Sequence, residues 1–529
     1  MTANSPLPNA EPVLIAGVWR AAATTGTFRA IDPTTGLERP QQWPMSGWSD
    51  IEVALEAAVA AATALASLPG ARIADFLERY ADRLAARGDE LVAVAHAETG
   101  LAVKPRLTDV ELPRTLDQLR QAAAAAREGT WRMGMIDSQR NIRSAAFGLG
   151  PVVVFPPANF PLAYGAVTGG DFAAAIAGGN PVIAKAHPGH PGVSRLAAEE
   201  ALFAVRETGL PPATVQLVHG ISGDDGVRLV ADERVGGTGF TGGQEAGKRL
   251  AAAAAETGRV IWVEMGSLNP VVLLPGALAE RGSEIAGELT ASVTGSAGQF
   301  CTKPGLVFLI DDEAAATFTR AVAERFLAIG AQVLLGKVGR ERLVAAVTQL
   351  QNAGARVLAG GGVGDGPCSH RPTLLSVPAA ELVARPQALL IEAFGNATVL
   401  VQCASLGQLM EAVACVPGAL AASLYCARDG RDDTTFGQVA ASLVARAGRI
   451  IENRMPTGLA VTPPMQHGGP WPSAGPPFFS AVGMPWSILR FARRICFDGW
   501  SGERLPECLQ DATPEGRPWR FIDAAWTRD

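Results

Sequence analysis

Gly298-Gln299-Phe300-Cys301-Thr302-Lys303-Pro304-Gly305 sets one thiol between glycine and proline, directly before the apolar run Leu306 to Ile310. Small residues precede it: Ser292, Thr294, Gly295, Ser296 and Ala297. This pattern predicts the end of a helix, a tight loop carrying the cysteine, then a buried strand. A loop held between rigid elements is where a nucleophile is usefully placed. Most free cysteines are small buried hydrophobes, and for this loop taken alone that reading would prevail.

Working outward, the same alternation repeats on both sides of the loop. From Pro151 to about Trp262, short apolar runs such as Val152-Val153-Val154-Phe155, Val182-Ile183-Ala184-Lys185 and Val215-Gln216-Leu217-Val218 alternate with helical stretches. From residue 265 to about 455 a second series follows: Val271 to Leu274, Leu306 to Ile310, Val399 to Val401 and Ala422 to Tyr425. Strands with intervening helices predict parallel sheets built of βαβ units. The fold class is therefore α/β, with two such units.

The flanks differ. Residues 13 to 50 read as short strands and turns, with Ile15-Ala16-Gly17-Val18-Trp19 as a hairpin. Asp50 to about Arg87 is helical, interrupted at Pro69-Gly70, with Ser49 or Asp50 as its N-cap. A further helical region runs from Asp89 to Arg127, broken near Gly100 and Pro105. Trp131 to Leu149 mixes polar and apolar residues with few helix signals, and Ser487 to Phe497 reads as a strand.

Length and composition exclude several classes of function. A chain of 529 residues exceeds one ordinary core. With 48% hydrophobic and 18% charged residues it is globular rather than disordered. A net charge of -6 suggests no nucleic-acid partner. Seven cysteines, with wide spacings and no CxxC pair, indicate neither a disulfide framework nor a zinc motif. A reducing cytoplasm is expected. Met1 to Pro12 lacks the pattern of a secretory signal, and no apolar stretch is long enough for a membrane helix.

Three further segments accompany the cysteine loop. Val263-Glu264-Met265-Gly266-Ser267-Leu268-Asn269-Pro270 ends an apolar strand on a carboxylate. Pro156-Pro157-Ala158-Asn159-Phe160-Pro161-Leu162 places an amide after the strand ending at Phe155. Ile391-Glu392-Ala393-Phe394-Gly395 places a second carboxylate beside an aromatic ring. Together, in their order along the chain, the four segments resemble the aldehyde dehydrogenase superfamily over nearly the whole chain. The resemblance implies a Rossmann-like cofactor domain over residues 1-130 and 151-264 and an α/β catalytic domain over 265-457. It implies an oligomerisation arm and C-terminal segment over 131-150 and 458-529. A homodimer or homotetramer would follow.

It also implies roles. An aldehyde is a poor hydride donor, whereas its thiohemiacetal with Cys301 is a good one. Glu264, with its pKa raised by burial, would be the base that hydrolyses the resulting thioester. Asn159 and the Cys301 N-H would hold the oxyanion. Gly242 and Gly247, in Gly239-Phe240-Thr241-Gly242-Gly243-Gln244-Glu245-Ala246-Gly247, match the cofactor loop. Gly243 stands where a serine is common. Lys185 matches the lysine that meets the adenosine ribose, Glu392 and Phe394 the nicotinamide ribose and ring contacts, and Phe155 and Pro156 border the cofactor. Pro188 stands where many NAD-preferring members carry glutamate, so NADP is expected, with NAD the alternative and His187 assisting Lys185. His190 reads as an exposed loop imidazole.

Lys185-Ala186-His187-Pro188, Arg114-Thr115 with Gln118-Leu119-Arg120, and His467-Gly468-Gly469-Pro470-Trp471-Pro472 narrow the resemblance. They look like an NADP-linked branch acting on 2-oxoglutarate semialdehyde or on long-chain aldehydes. Arg114, Phe160, Phe300 and His467 are then the substrate-side residues. Arg114 either grips a distal carboxylate or pairs with Glu111 or Asp117 on its own helix. No metal is expected. A CoA-acylating enzyme would do without Glu264, and a silent scaffold would not keep Cys301, Glu264, Asn159 and Lys185 together.

Overall fold

The computed structural model describes residues 10–512 and 516–528; most of the N-terminal segment read above lies outside them. Two large sheets dominate. The first has eight strands and contains Val152–Phe155, Val182–Lys185, Val215–Val218, Gly237–Thr241 and Val260–Glu264, all mutually parallel where they pair. The hairpin Val13–Ile15 and Val18–Arg20 adds antiparallel at one edge, turning through Ala16 and Gly17, both at positive φ. The second sheet has seven strands, with Pro270–Leu273, Leu306–Ile310, Thr373–Pro378, Ala397–Cys403, Ala419–Tyr425 and Ala447–Glu452 in parallel register.

Both sheets are covered on both faces, which explains their continuous apolar strands. Val152 and Val154 point into a core shared with helices Gly70–Ala86, Leu112–Glu128 and Gly170–Ala177. Val153 and Phe155 point into the opposite core, against Trp48–Ala66 and Gln244–Glu256. The second sheet divides likewise, with Val272 and Phe308 on one side and Val271, Val307 and Leu309 on the other. Each fully buried Val or Leu is worth about 1.5–3 kcal/mol.

A third sheet has five strands. Ile142–Gly148 lies between Gly134–Asp137 and Ala492–Asp498. The C-terminal strand starts later than expected, because Trp486–Phe491 forms a 3-10 turn whose buried face packs on the first core. The first long helix also starts differently. Gly47 is its N-cap, while the buried Asp50 carboxylate accepts bonds from Arg20 Nη2 at 2.6 Å and the Ala23 N–H at 2.9 Å. A carboxylate engaged in this way cannot also cap the helix.

One connection positions the site. Ala474–Gly475, within the segment read as arm and C-terminal region, pairs antiparallel with Val260–Glu264 at the edge of the first sheet, Ala474 opposite Glu264. No helix among the described residues is long and apolar enough to cross a membrane.

Candidate active site

The site lies where carboxyl ends of parallel strands meet the loop before Leu306–Ile310, the place where open α/β sheets bind ligands. Helix Pro275–Thr294 ends, and the chain turns through Ser296, Ala297 and Gly298, all three at positive φ. A Cβ on Gly298 would lie 2.3 Å from the Gly395 carbonyl oxygen, so only glycine fits there. Asn269 fastens the loop, donating from Nδ2 to the carbonyls of Cys301 at 2.8 Å and Lys303 at 3.0 Å. Its Oδ1 accepts from Ser267 Oγ at 2.8 Å and from the Ala421 N–H at 3.2 Å.

Cys301 is half-buried and its sulfur lies 3.4 Å from His467 Nε2. The same nitrogen lies 3.1 Å from Glu264 Oε1. His467 and Glu264 are each 1% exposed, so three reactive groups meet away from bulk water. Burial, and then the Glu264 carboxylate to which the thiol hydrogen-bonds, push the Cys301 thiol well above its usual range. Arg114 acts in the opposite direction. The resting group is therefore a thiol, and its reaction needs a proton acceptor beside it. Neither Glu264 oxygen receives a well-aligned N–H or O–H hydrogen bond among the described residues. His467 is held by its backbone, its N–H donating to Ser480 Oγ at 3.0 Å and its carbonyl accepting from the Ala481 N–H at 2.8 Å.

Asn159 is buried beside the loop, and its Nδ2 donates to the Gln299 carbonyl at 2.9 Å. A primary amide nitrogen carries two N–H groups, so a second remains for a ligand. A cavity of about 850 Å³ opens onto Cys301. Phe160, Tyr164, Phe300, Arg106 and Arg114 are among the residues that line it. Arg114 pairs with neither Glu111 nor Asp117. Its Nη2 donates to Tyr164 Oη at 3.0 Å and its Nε to Gln118 Oε1 at 3.3 Å. Glu111 is taken instead by Arg106 and by the N–H groups of Leu162 and Ala163. Asp117 accepts from Gln121 Nε2 at 2.6 Å.

On the cofactor side, helix Gln244–Glu256 begins at Gly243 with no side-chain cap, which leaves its first N–H groups for an anion. A Cβ at Gly243 would meet nothing within 4 Å, whereas one at Gly247 would lie 2.6 Å from Met265 Sδ and one at Gly242 2.8 Å from the Phe240 ring. Lys185 ends its strand, and burial lowers its pKa to about 8. No carboxylate stands within ion-pair distance of it among the described residues. His187 is half-buried, its ring stacked on His190 at 5.1 Å. His190 is not the exposed imidazole expected from its loop: it is fully buried, and its Nε2 meets the Pro157 carbonyl at 2.9 Å. Burial pushes its pKa down to about 4, so the ring is neutral.

Glu392 is no ordinary surface acid. Burial raises its pKa to about 7, while the neighbouring Lys303 acts against that shift. Lys303 is 2% exposed and donates to the carbonyls of Ala393 and Ala397, tying the cysteine loop to the segment carrying Glu392 and Phe394. Gly266 lets the Glu392 carboxylate lie against the backbone: a Cβ there would stand 2.0 Å from Oε2 and push that side chain aside. Phe394 is half-buried in that segment, and Phe155 and Pro156 are buried at the end of their strand. Arg106, Tyr164, Asn269 and Lys303 are the members of this region that sequence reasoning did not assign. Tyr164 lies five positions after Asn159, and Lys303 inside the cysteine motif itself.

Fold and sequence together place this chain among the nicotinamide-linked dehydrogenases. Residues 19–474 match the aldehyde dehydrogenase family, and the chain belongs to it. It is 37% identical over 526 residues to alpha-ketoglutaric semialdehyde dehydrogenase 2 of Azospirillum brasilense, covering 96% of this chain and 97% of the relative. It is 30% identical over 507 residues to alpha-ketoglutaric semialdehyde dehydrogenase of Acinetobacter baylyi, covering 94% and 95%. Among solved structures, a mutant of aldehyde dehydrogenase C from Pseudomonas syringae, in complex with NAD+ and octanal, superposes with a TM-score of 0.79. It shares 21% identity, with 95% of this chain and 99% of that one covered. The protein is an oxidoreductase that acts on aldehydes.

Proposed function

We propose that this enzyme oxidises a short aldehyde bearing a distal carboxylate, 2-oxoglutarate semialdehyde foremost, to the dicarboxylic acid with NADP. The observation that carries the substrate is Arg114, a guanidinium in the cavity wall that no carboxylate among the described residues pairs. The names of the two relatives above agree with it.

Cys301 attacks the aldehyde carbon while His467 Nε2 takes the thiol proton, which requires the imidazole tautomer protonated on Nδ1. Asn159 Nδ2 and the Cys301 N–H face the oxyanion of the thiohemiacetal, one such donor being worth ~3 kcal/mol of barrier. When bound, the nicotinamide accepts the hydride. Glu264 then takes the proton of the water that cleaves the thioester on Cys301. Lys185, Gly242, Gly247, Glu392 and Phe394 fit the dinucleotide, because they offer a cation, a free helix N-terminus with room at Gly243, and an acid for ribose hydroxyls. Phe155, Pro156 and His187 border that groove. The oligomer we propose is a homodimer or homotetramer joined through the arm.

The substrate reading is tested by Arg114→Ala. A carboxylate left unpaired in the cavity loses charge-assisted hydrogen bonds worth about 1.5–3 kcal/mol, so kcat/KM for 2-oxoglutarate semialdehyde should fall about 10–100-fold. Hexanal oxidation should be almost unchanged. Equal losses on both would mean that Arg114 supports the cavity wall, and would favour apolar aldehydes.

The cofactor reading predicts a pH signature. Lys185 titrates near 8 in the free protein. A 2'-phosphate beside it would favour the charged form and raise that value. NADP affinity should then be flat below pH 8 and weaken up to about tenfold per pH unit above it, until the bound-state pKa is reached. NAD affinity should not follow, and Lys185→Met should remove the slope. Equal pH profiles for the two dinucleotides in calorimetric titrations would end the NADP argument.

A further inference from the structure

We propose that Cys301 Sγ, His467 Nε2 and the Glu264 carboxylate form a zinc site, at which Zn2+ reversibly silences the enzyme. The argument is geometric and independent of which aldehyde is oxidised. The three donor atoms lie within 4.8 Å of one another. The observed edges are 3.4 Å for Sγ to Nε2 and 3.1 Å for Nε2 to Oε1. A tetrahedral zinc with Zn–S about 2.3 Å and Zn–N and Zn–O about 2.0–2.1 Å has edges of about 3.5 Å and about 3.4 Å between those atom pairs. A zinc ion would thus fit after shifts of a few tenths of an ångström on these two edges, with a rotation of the Glu264 side chain for the third.

The donor chemistry agrees. Sulfur, imidazole and one carboxylate are a borderline-soft set that suits zinc and disfavours magnesium or calcium. Both Glu264 oxygens are buried with no N–H or O–H donor aligned on them among the described residues, so a cation that displaces the thiol proton would supply the positive partner this carboxylate lacks. Three protein ligands leave the fourth position to water, and Cys301 lines the cavity from which water and zinc could reach the site. On binding, the S–H bond is replaced by an S–Zn bond, one proton leaves to solvent, and no electron moves. The nucleophile, the proton acceptor beside it and the base for thioester cleavage are all taken up at once, so the zinc form cannot attack an aldehyde.

The test uses the full-length enzyme, freed of metal by a chelator and titrated with Zn2+ against a chromophoric competitor. One zinc per chain should bind, with activity lost in step and restored by chelator. Co2+ in place of Zn2+ should give a sulfur-to-cobalt charge-transfer band that Cys301→Ala lacks. His467→Ala and Glu264→Gln should each weaken binding by more than about 100-fold, beyond what an outer-sphere partner costs. His467→Gln, of similar bulk, guards against a repacked loop, and dinucleotide binding by each variant confirms its fold. Replacing the peripheral thiols Cys415 and Cys496 with serine should change nothing. Undiminished zinc affinity in Cys301→Ala and His467→Gln, or bound cobalt without the band, would overturn the proposal.

Discussion

Cys301→Ala should abolish aldehyde oxidation, lowering kcat by at least about 10⁴-fold, the size of loss seen when a covalent nucleophile is removed. The effect should be confined to chemistry. The loop is fastened through the backbone carbonyl of residue 301, which Asn269 Nδ2 reaches at 2.8 Å, and alanine keeps that carbonyl. The residues assigned to the dinucleotide stand on other elements: Lys185 at a strand end, Gly242 and Gly247 at the start of a helix. NADP affinity, measured by fluorescence or calorimetry, should therefore stay close to that of the unaltered enzyme. Turnover that survives the substitution would mean that hydride leaves the aldehyde without a covalent intermediate. The roles given to Asn159, His467 and Glu264 would then fall with it.

How much of this was legible beforehand depends on whether the signal is local. The two parallel sheets follow from apolar runs of three to five residues between helices, and every strand named from the sequence in those two series is present. The cysteine loop was legible because small residues and glycines crowd one point, and Gly298 and Gly395 do touch. What was not legible are contacts made by distant segments. Nothing in His467-Gly468-Gly469 says that the chain returns to pair Ala474 with Glu264. That pairing, not a motif, brings the imidazole between acid and thiol. Lys303 looks like a loop lysine of the kind normally solvated, yet it is buried because two carbonyls of the Glu392 segment receive it. His190 misled for the same reason: a histidine between glycine and proline reads as exposed until the Pro157 carbonyl is found beside it. The helix cap at Asp50 failed because a long-range partner, Arg20, took the carboxylate that a local rule would give to the helix.

Glu264→Gln should separate the two halves of the reaction. In the mechanism proposed, attack by Cys301 uses His467 as the acceptor, and only cleavage of the thioester uses Glu264. Glutamine keeps the shape of the side chain but cannot take a proton from water. The variant should give a rapid burst of one reduced cofactor per active site, then a steady state slower by about 10²–10⁴-fold, the range for loss of a general base. The acyl group should be found on Cys301 by mass spectrometry after an acid quench. Because His467 Nε2 lies 3.1 Å from Glu264 Oε1, the amide also removes a charge that steadies a protonated imidazole. The burst should therefore be somewhat slower than in the unaltered enzyme, without losing amplitude. His467→Gln gives the opposite pattern, a slow burst with no acyl-enzyme accumulating, since formation of the thioester becomes limiting. If Glu264→Gln instead loses the burst and traps nothing, Glu264 is the acceptor for the thiol proton. The thiol hydrogen bond to that carboxylate would then be the productive one, and His467 would be left to hold the acid in place.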